Sequence, residues 1–345
     1  RSRGTDHDCH RVVQKGLASH GMLIDPALLL PDAVSEETLA FNIQIQQMTT
    51  ALPPITAFTP VQIRDARRAG QTVWGPVIHS EFAATREIEG REGMIELRII
   101  ETGVTNGVFL HFHGGGWVLG SNDMMDPMLE ELSRKARVAV VSVEYRLAPE
   151  HPYPAGLQDC VTAARWAIES ATVEFGTDRI VIGGESAGAN LAVAAMLTIR
   201  DEDGFDGWAG ANLAYGSYMP SGTPSVRLWD TEGLVLDQEV MAWFVDHYKG
   251  DAKIDPFDPY YAPLYGDVAG LGPALFTVGT SDPLLDDTLF MSARWAAARN
   301  ETALHIAPGG IHAFDAFPTT LAARARDRMH CFVAGSVATP ATPIA

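Results

Sequence analysis

Cysteine is scarce in this 345-residue chain: Cys9, Cys160 and Cys331 are odd in number, far apart, and in neither a CxxC pair nor a metal-ligand spacing. That pattern argues against a disulfide framework and a zinc site, and it fits a reducing compartment better than secretion. Long apolar runs are missing too. None approaches the ~18 residues needed to span a bilayer, and the first residues contain no apolar signal-peptide core. Positive charge is in short supply: 25 Lys and Arg stand against 43 Asp and Glu, for a formal net charge of −18. With no basic stripe or block, such a chain repels phosphate backbones and anionic membranes, so nucleic acid and membrane surfaces are not expected partners. Low-complexity segments and internal repeats are also lacking. The composition, 46% hydrophobic and 20% charged, is that of a soluble globular protein, read here as cytoplasmic. The chain starts Arg-Ser-Arg-Gly-Thr.

What is present is an alternation. Short apolar runs at 94–100, 108–112, 138–143, 179–183, 212–215, 274–278 and 303–306 read as strands. Helical patterns at 126–136, 155–175, 187–200, 285–299 and 313–334 fall between the later ones. This is the signature of a mostly parallel sheet flanked by helices. The β-branched runs at 138–143 and 180–182 lack polar alternation and read as central strands buried on both faces. Two segments break the series. Residues 1–75 carry helical patches at 36–47 and 60–69 separated by Pro53-Pro54, and residues 217–258 are rich in Pro and Gly with one amphipathic helix at 237–248. Both are expected to form a helical cap over the carboxyl edge of the sheet, where open α/β proteins bind ligands. The remaining divisions are sheet segments at 76–216 and 259–335 and a flexible tail at 336–345.

Gly184-Glu185-Ser186-Ala187-Gly188 follows a predicted strand and opens a predicted helix. A serine hydroxyl is a weak nucleophile, so a chain that uses one must expose it and supply a base. Glycines on either side permit the sharp strand-to-helix turn that lifts the hydroxyl above the sheet. His113-Gly114-Gly115-Gly116-Trp117 follows another strand. Consecutive glycines let backbone N–H groups converge on one point, as an oxyanion hole requires, and the spacing matches neither a P-loop nor G-x-G-x-x-G. The acid and base should follow the serine in that order at the ends of later strands. Asp282, after 274–278, and His312, after 303–306, occupy those positions. Asp286 and Asp287 compete with Asp282, but they fall in the first turn of a helix, where carboxylates are favoured by the dipole alone. His111 and His113 form an HxH pair with no third ligand at recognisable spacing and read as structural. Glu185 is expected to point away from the base, in a supporting role.

Together HGGGW at 113–117, the block 145–155 (YRLAPEHPYPA), GESAG at 184–188, SDPLL at 281–285 and GIHAF at 310–314 resemble the hormone-sensitive-lipase-like, bacterial family IV carboxylesterases of the α/β-hydrolase superfamily. The resemblance covers about residues 75–335. It implies an eight-stranded sheet with a cap, and Ser186, Asp282 and His312 as the triad. It further implies oxyanion donors at the N–H groups of Gly115, Gly116 and Ala187, no metal or organic cofactor, and a homodimer as a plausible assembly. Glu185 departs from the commoner Asp or Thr at that place. The function implied is a serine carboxylesterase acting on short- to medium-chain acyl esters. A lipase, amidase or natural-product deacetylase using the same triad stays open as an alternative, and a non-catalytic receptor on the same fold is a remote one. The charged stretch 227–237 favours soluble small-molecule esters over a lipid interface.

Overall fold

A computed structural model describes residues 24–338. Its centre is one eight-stranded sheet in the order β1-β2-β4-β3-β5-β6-β7-β8. The strands are β1 (Ala83–Gly90), β2 (Gly93–Ile100), β3 (Gly107–Phe112), β4 (Val138–Val143), β5 (Ile180–Glu185), β6 (Gly210–Ala214), β7 (Ala274–Ser281) and β8 (Thr302–Ile311). β2 pairs antiparallel with both β1 and β4, and every other pairing is parallel.

Two separate cores follow from strand alternation, because successive side chains leave a strand on opposite faces. On β3, Val108, Leu110 and Phe112 join one core, and Phe109 joins the other. On β4, Val141 and Val143 go one way, and Val138 and Val140 go the other. Helices α1 (Glu36–Thr50) and α2 (Pro60–Arg68) precede the sheet, and α3 (Asp126–Ala136), α4 (Ala155–Phe175) and α5 (Ala187–Asp203) follow its early strands. The short α6 (Pro224–Arg227) and α7 (Gln238–Lys249) interrupt the series before α8 (Leu285–Ala297) and α9 (Thr320–Ala338). The larger core holds residues of α4, α5 and α8, and the second holds residues of α3 and α9. Among the described residues no helix is long and apolar enough to cross a membrane.

Four sequence expectations are corrected. β1 was missed, because it is an edge strand whose residues are mostly exposed and whose one buried residue is Ile88. β8 runs on past the expected 303–306 to Ile311, through Pro308, Gly309 and Gly310. The helix expected at 313–334 starts only at Thr320. Ala313 takes a left-handed conformation and Phe314–Ala316 is a 3-10 turn. Pro318 then lies ahead of a turn in which Thr319 Oγ1 accepts from Ala322 N, consistent with the exclusion of proline from helix interiors. Finally, Cys331 on α9 is disulfide-bonded, while Cys160 is a buried free thiol. Wide cysteine spacing was a poor guide to pairing, and the compartment inferred from it loses that support. Helix α9 reaches Ala338, three residues into the expected tail; 339–345, like 1–23 of the expected amino-terminal cap, lie outside the described residues.

Candidate active site

The parallel register brings four loops together at one edge. Phe112 pairs with Gly184, so the HGGG loop leaves β3 beside the turn that leaves β5. Glu185 pairs with Ala214, and Ser186 N donates to Ala214 O at 2.9 Å. Ser186 itself has φ 57 and ψ −118, a conformation that costs a non-glycine residue on the order of 1–3 kcal/mol and is found at functional turns. Both flanking glycines are required by one carbonyl. A Cβ on Gly184 would lie 2.1 Å from Phe112 O, and one on Gly188 would lie 1.9 Å from the same atom.

On the far side, Ser281 pairs with Ile311 after a register shift, which sets the next residues, Asp282 and His312, side by side. Asp282 is fully buried and His312 nearly so. His312 Nδ1 lies 2.9 Å from Asp282 Oδ2, and its Nε2 lies 2.9 Å from Ser186 Oγ. An ionised carboxylate only accepts, so Nδ1–H donates to Asp282 and Nε2 is left to accept from the serine hydroxyl. Leu284 N donates to the other Asp282 oxygen. The imidazole also meets the Tyr215 ring edge-on at 5.0 Å, and Tyr215 donates its hydroxyl to buried Asp315.

Glu185 turns away from this relay and grips the glycine loop. Its Oε1 accepts from Gly114 N at 3.1 Å and its Oε2 lies 2.9 Å from His111 Nε2. Burial alone would raise this carboxyl, but His111 and the Gly114 N–H outweigh it and hold it below the ordinary range. His111 Nε2 donates to Glu185, and its Nδ1 lies 2.9 Å from Ser142 Oγ. His113 Nδ1 donates to Gly114 O, and its ring stacks on Tyr145 at 4.2 Å. Burial pushes His113 down to about 4, so it is neutral at physiological pH. Trp117 stacks on Tyr248 of α7 at 4.4 Å. Among the described residues none accepts from the N–H of Gly115, Gly116 or Ala187.

Asp286 and Asp287 do start α8, as their sequence position suggests, but the dipole is not their main contact. Asp287 is fully buried and accepts from Tyr218 N, Met219 N and Thr223 Oγ1. Asp286 accepts from Ser225 N. Both therefore tie the insertion to the sheet. The insertion also meets the amino-terminal helices: Thr49 and Gln46 donate to the carbonyls of Gly233 and Glu232, and Thr56 donates to Glu239. Sequence reasoning missed Tyr215, Asp315 and the Asp287 anchor. A tyrosine and two aspartates carry no motif, and only their burial marks them.

A family model described as alpha/beta hydrolase fold matches residues 109–316. The carboxylic ester hydrolase LipN of Mycobacterium tuberculosis is 36% identical over 222 residues, which cover 62% of this chain and 58% of that protein. The carboxylesterase NlhH of the same organism is 35% identical over 63% of this chain and 69% of its own length. The chain thus spans only about 58–69% of the length of these curated relatives. The structure of the ester-hydrolase EH1AB1 from the metagenome of Lake Arreo, complexed with a bipyridine phosphonate derivative, superimposes with a TM-score of 0.79 at 28% identity, covering 89% of this chain and all of that one. With the eight-stranded topology and the glycine-flanked serine turn, these matches mean that the chain belongs to the hormone-sensitive-lipase-like carboxylesterase branch of the α/β-hydrolase family.

Proposed function

We propose that this protein is a serine carboxylesterase that hydrolyses short- to medium-chain esters of soluble small molecules. The observation that carries the reading is the continuous relay from Asp282 through His312 to Ser186, with both contacts at 2.9 Å. In the proposed reaction His312 takes the Ser186 proton as Oγ attacks the ester carbonyl carbon, while Asp282 holds the ring and stabilises the imidazolium. The N–H groups of Gly115, Gly116 and Ala187 receive the oxyanion, and one such donor is typically worth ~3–4 kcal/mol. Collapse of the tetrahedral adduct expels the alcohol, protonated by His312, and leaves acyl-Ser186. Water, deprotonated by His312, then attacks the acyl carbon, and the carboxylic acid departs as Ser186 regains its proton.

Residues 24–75 and 217–258 act in this reading as a cap in two pieces. Phe244 on α7 supports a shallow acyl site: a Cβ on Gly116 would lie 2.2 Å from its ring, so the cap helix lies directly on the glycine loop. The names of LipN and NlhH support ester chemistry.

An organophosphonate should label Ser186 stoichiometrically and abolish hydrolysis of p-nitrophenyl butyrate. Ser186→Ala should neither label nor turn over, a loss on the order of 10⁶-fold in kcat. Labelling at another serine overturns the assignment.

A further inference from the structure

One arginine near the oxyanion loop has no role in the proposed reaction. Helix α2 is clamped against the loop by Arg64, which donates to Val118 O at 2.8 Å and Ala148 O at 2.6 Å and pairs with Glu150. Val118 directly follows the HGGGW segment. Arg67 lies one turn further along the same helix face. Its guanidinium carbon sits 5.3 Å from the centroid of the Trp74 ring. Trp74 in turn stacks on Phe317 at 5.0 Å, and Phe317 is five residues beyond His312. Arg67 thus sits on a helix anchored beside the oxyanion loop and lies over a ring that packs against Phe317, in the segment after His312.

Its polar face is unpaired. Arg64, Arg98, Arg146 and Arg165 each hold a carboxylate, but no hydrogen bond or ion pair within the described residues engages the Arg67 guanidinium. Burial pushes it down to about 10, and the charge of Glu185 opposes that shift. Both Glu185 oxygens are already taken, by Gly114 and His111. The half-buried fork keeps its nitrogens open to solvent, and its planar donors match a carboxylate. The chain as a whole, at −18, repels anions, so an anionic ester would need such a local anchor.

We propose that Arg67 is a substrate-binding residue that selects esters carrying a free carboxylate. This inference rests on the esterase reading and goes beyond it by naming a substrate class. Two probe pairs test it: monoethyl glutarate against ethyl valerate, with the charge on the acyl side, and 4-acetoxybenzoate against 4-methylphenyl acetate, with the charge on the alcohol side. For each pair the readout is the ratio of kcat/KM, charged over neutral, in wild type, Arg67→Met and Arg67→Lys, with thermal melting to establish folding. In at least one pair the ratio should fall by roughly tenfold or more in R67M, the scale of a lost charge-assisted hydrogen bond. R67K, which keeps the charge without the fork, should fall in between, and it carries the test if R67M does not fold. The wild-type ratio in that pair should also drop as salt is raised. Ratios unchanged in both pairs would show that Arg67 only stacks on Trp74 and overturn the proposal. Turnover of the neutral esters alone, with none of the charged ones, overturns it while leaving the esterase reading intact. Turnover of none of the four overturns both.

Discussion

The loop after β7 and the first turn of α8 each bury an aspartate completely, five residues apart, yet the two carboxylates serve different parts of the molecule. Asp282 meets one imidazole and one backbone N–H. Asp287 meets two backbone N–H groups and a hydroxyl, all from the insertion that follows β6. Burial and residue type are the same, so neither distinguishes a chemical group from an anchor; the partner does. In the proposed reaction the first region faces a side chain that changes protonation during turnover, whereas the second faces fixed donors that hold the insertion in place.

Substituting the two aspartates separates the regions most sharply. Asp282→Asn should leave the fold intact and lower kcat by ~10⁴-fold, because an amide in its place favours the wrong imidazole tautomer. Asp287→Asn should lower kcat far less. It should lower stability by about 1–3 kcal/mol, since an amide NH₂ would face donors that need an acceptor. Steady-state kinetics and thermal melting of both variants check the pair, and a larger kcat loss in D287N would reverse the assignment.

A pH series sharpens the same contrast. Burial pushes the Asp287 carboxyl up to about 7, against the opposing pull of Thr223, Met219 and Tyr218. A free aspartate titrates near ~3.9. Between those values the unfolded chain has released this proton and the folded one still holds it, so Asp287 makes stability fall as pH rises from about 4 to about 7. Glu144 is likewise pushed up to about 7 by burial, but its contribution cancels when wild type and D287N are compared. The gap in melting temperature between the two should therefore narrow as pH rises through that window. A gap independent of pH would mean that Asp287 stays ionised throughout.

Glu185→Gln probes the link between the elbow and the glycine loop. The amide cannot accept from Gly114 and His111 together, so kcat/KM should fall by roughly tenfold, about 1.4 kcal/mol in the transition state. An unchanged rate would show that the loop holds its shape without this carboxylate. The smallest effect is expected in the cap. Thr49→Ala removes the 2.6 Å bond to Gly233 O, costs about 1 kcal/mol, and should shift acyl-chain preference a few-fold while leaving rates on acetate esters nearly unchanged. Equal changes for acetate through octanoate esters would argue against a cap role for this contact.

The sequence alone determined whatever rests on neighbours in the chain. The glycines around Ser186, the run at 114–116 and the apolar strand runs are local patterns, and they signalled a turn, a donor loop and a doubly covered sheet because backbone sterics and burial act over a few residues. Local reading failed where conformation depends on distant partners. β1 carries few buried residues because it lies at the sheet edge. β8 runs through Pro308-Gly309-Gly310 because β7 pairs on both sides of that stretch, Gly279 with Ala307 and Ser281 with Ile311. Only the tertiary structure decided that Asp282 meets His312, through the register that pairs Ser281 with Ile311. It likewise decided that Asp287 holds the insertion, that Glu185 grips the glycine loop, and that Arg67 lies unpaired over Trp74. Each is a meeting of groups far apart in the chain, and no single-residue propensity encodes the partner; the packing of the whole sheet edge does.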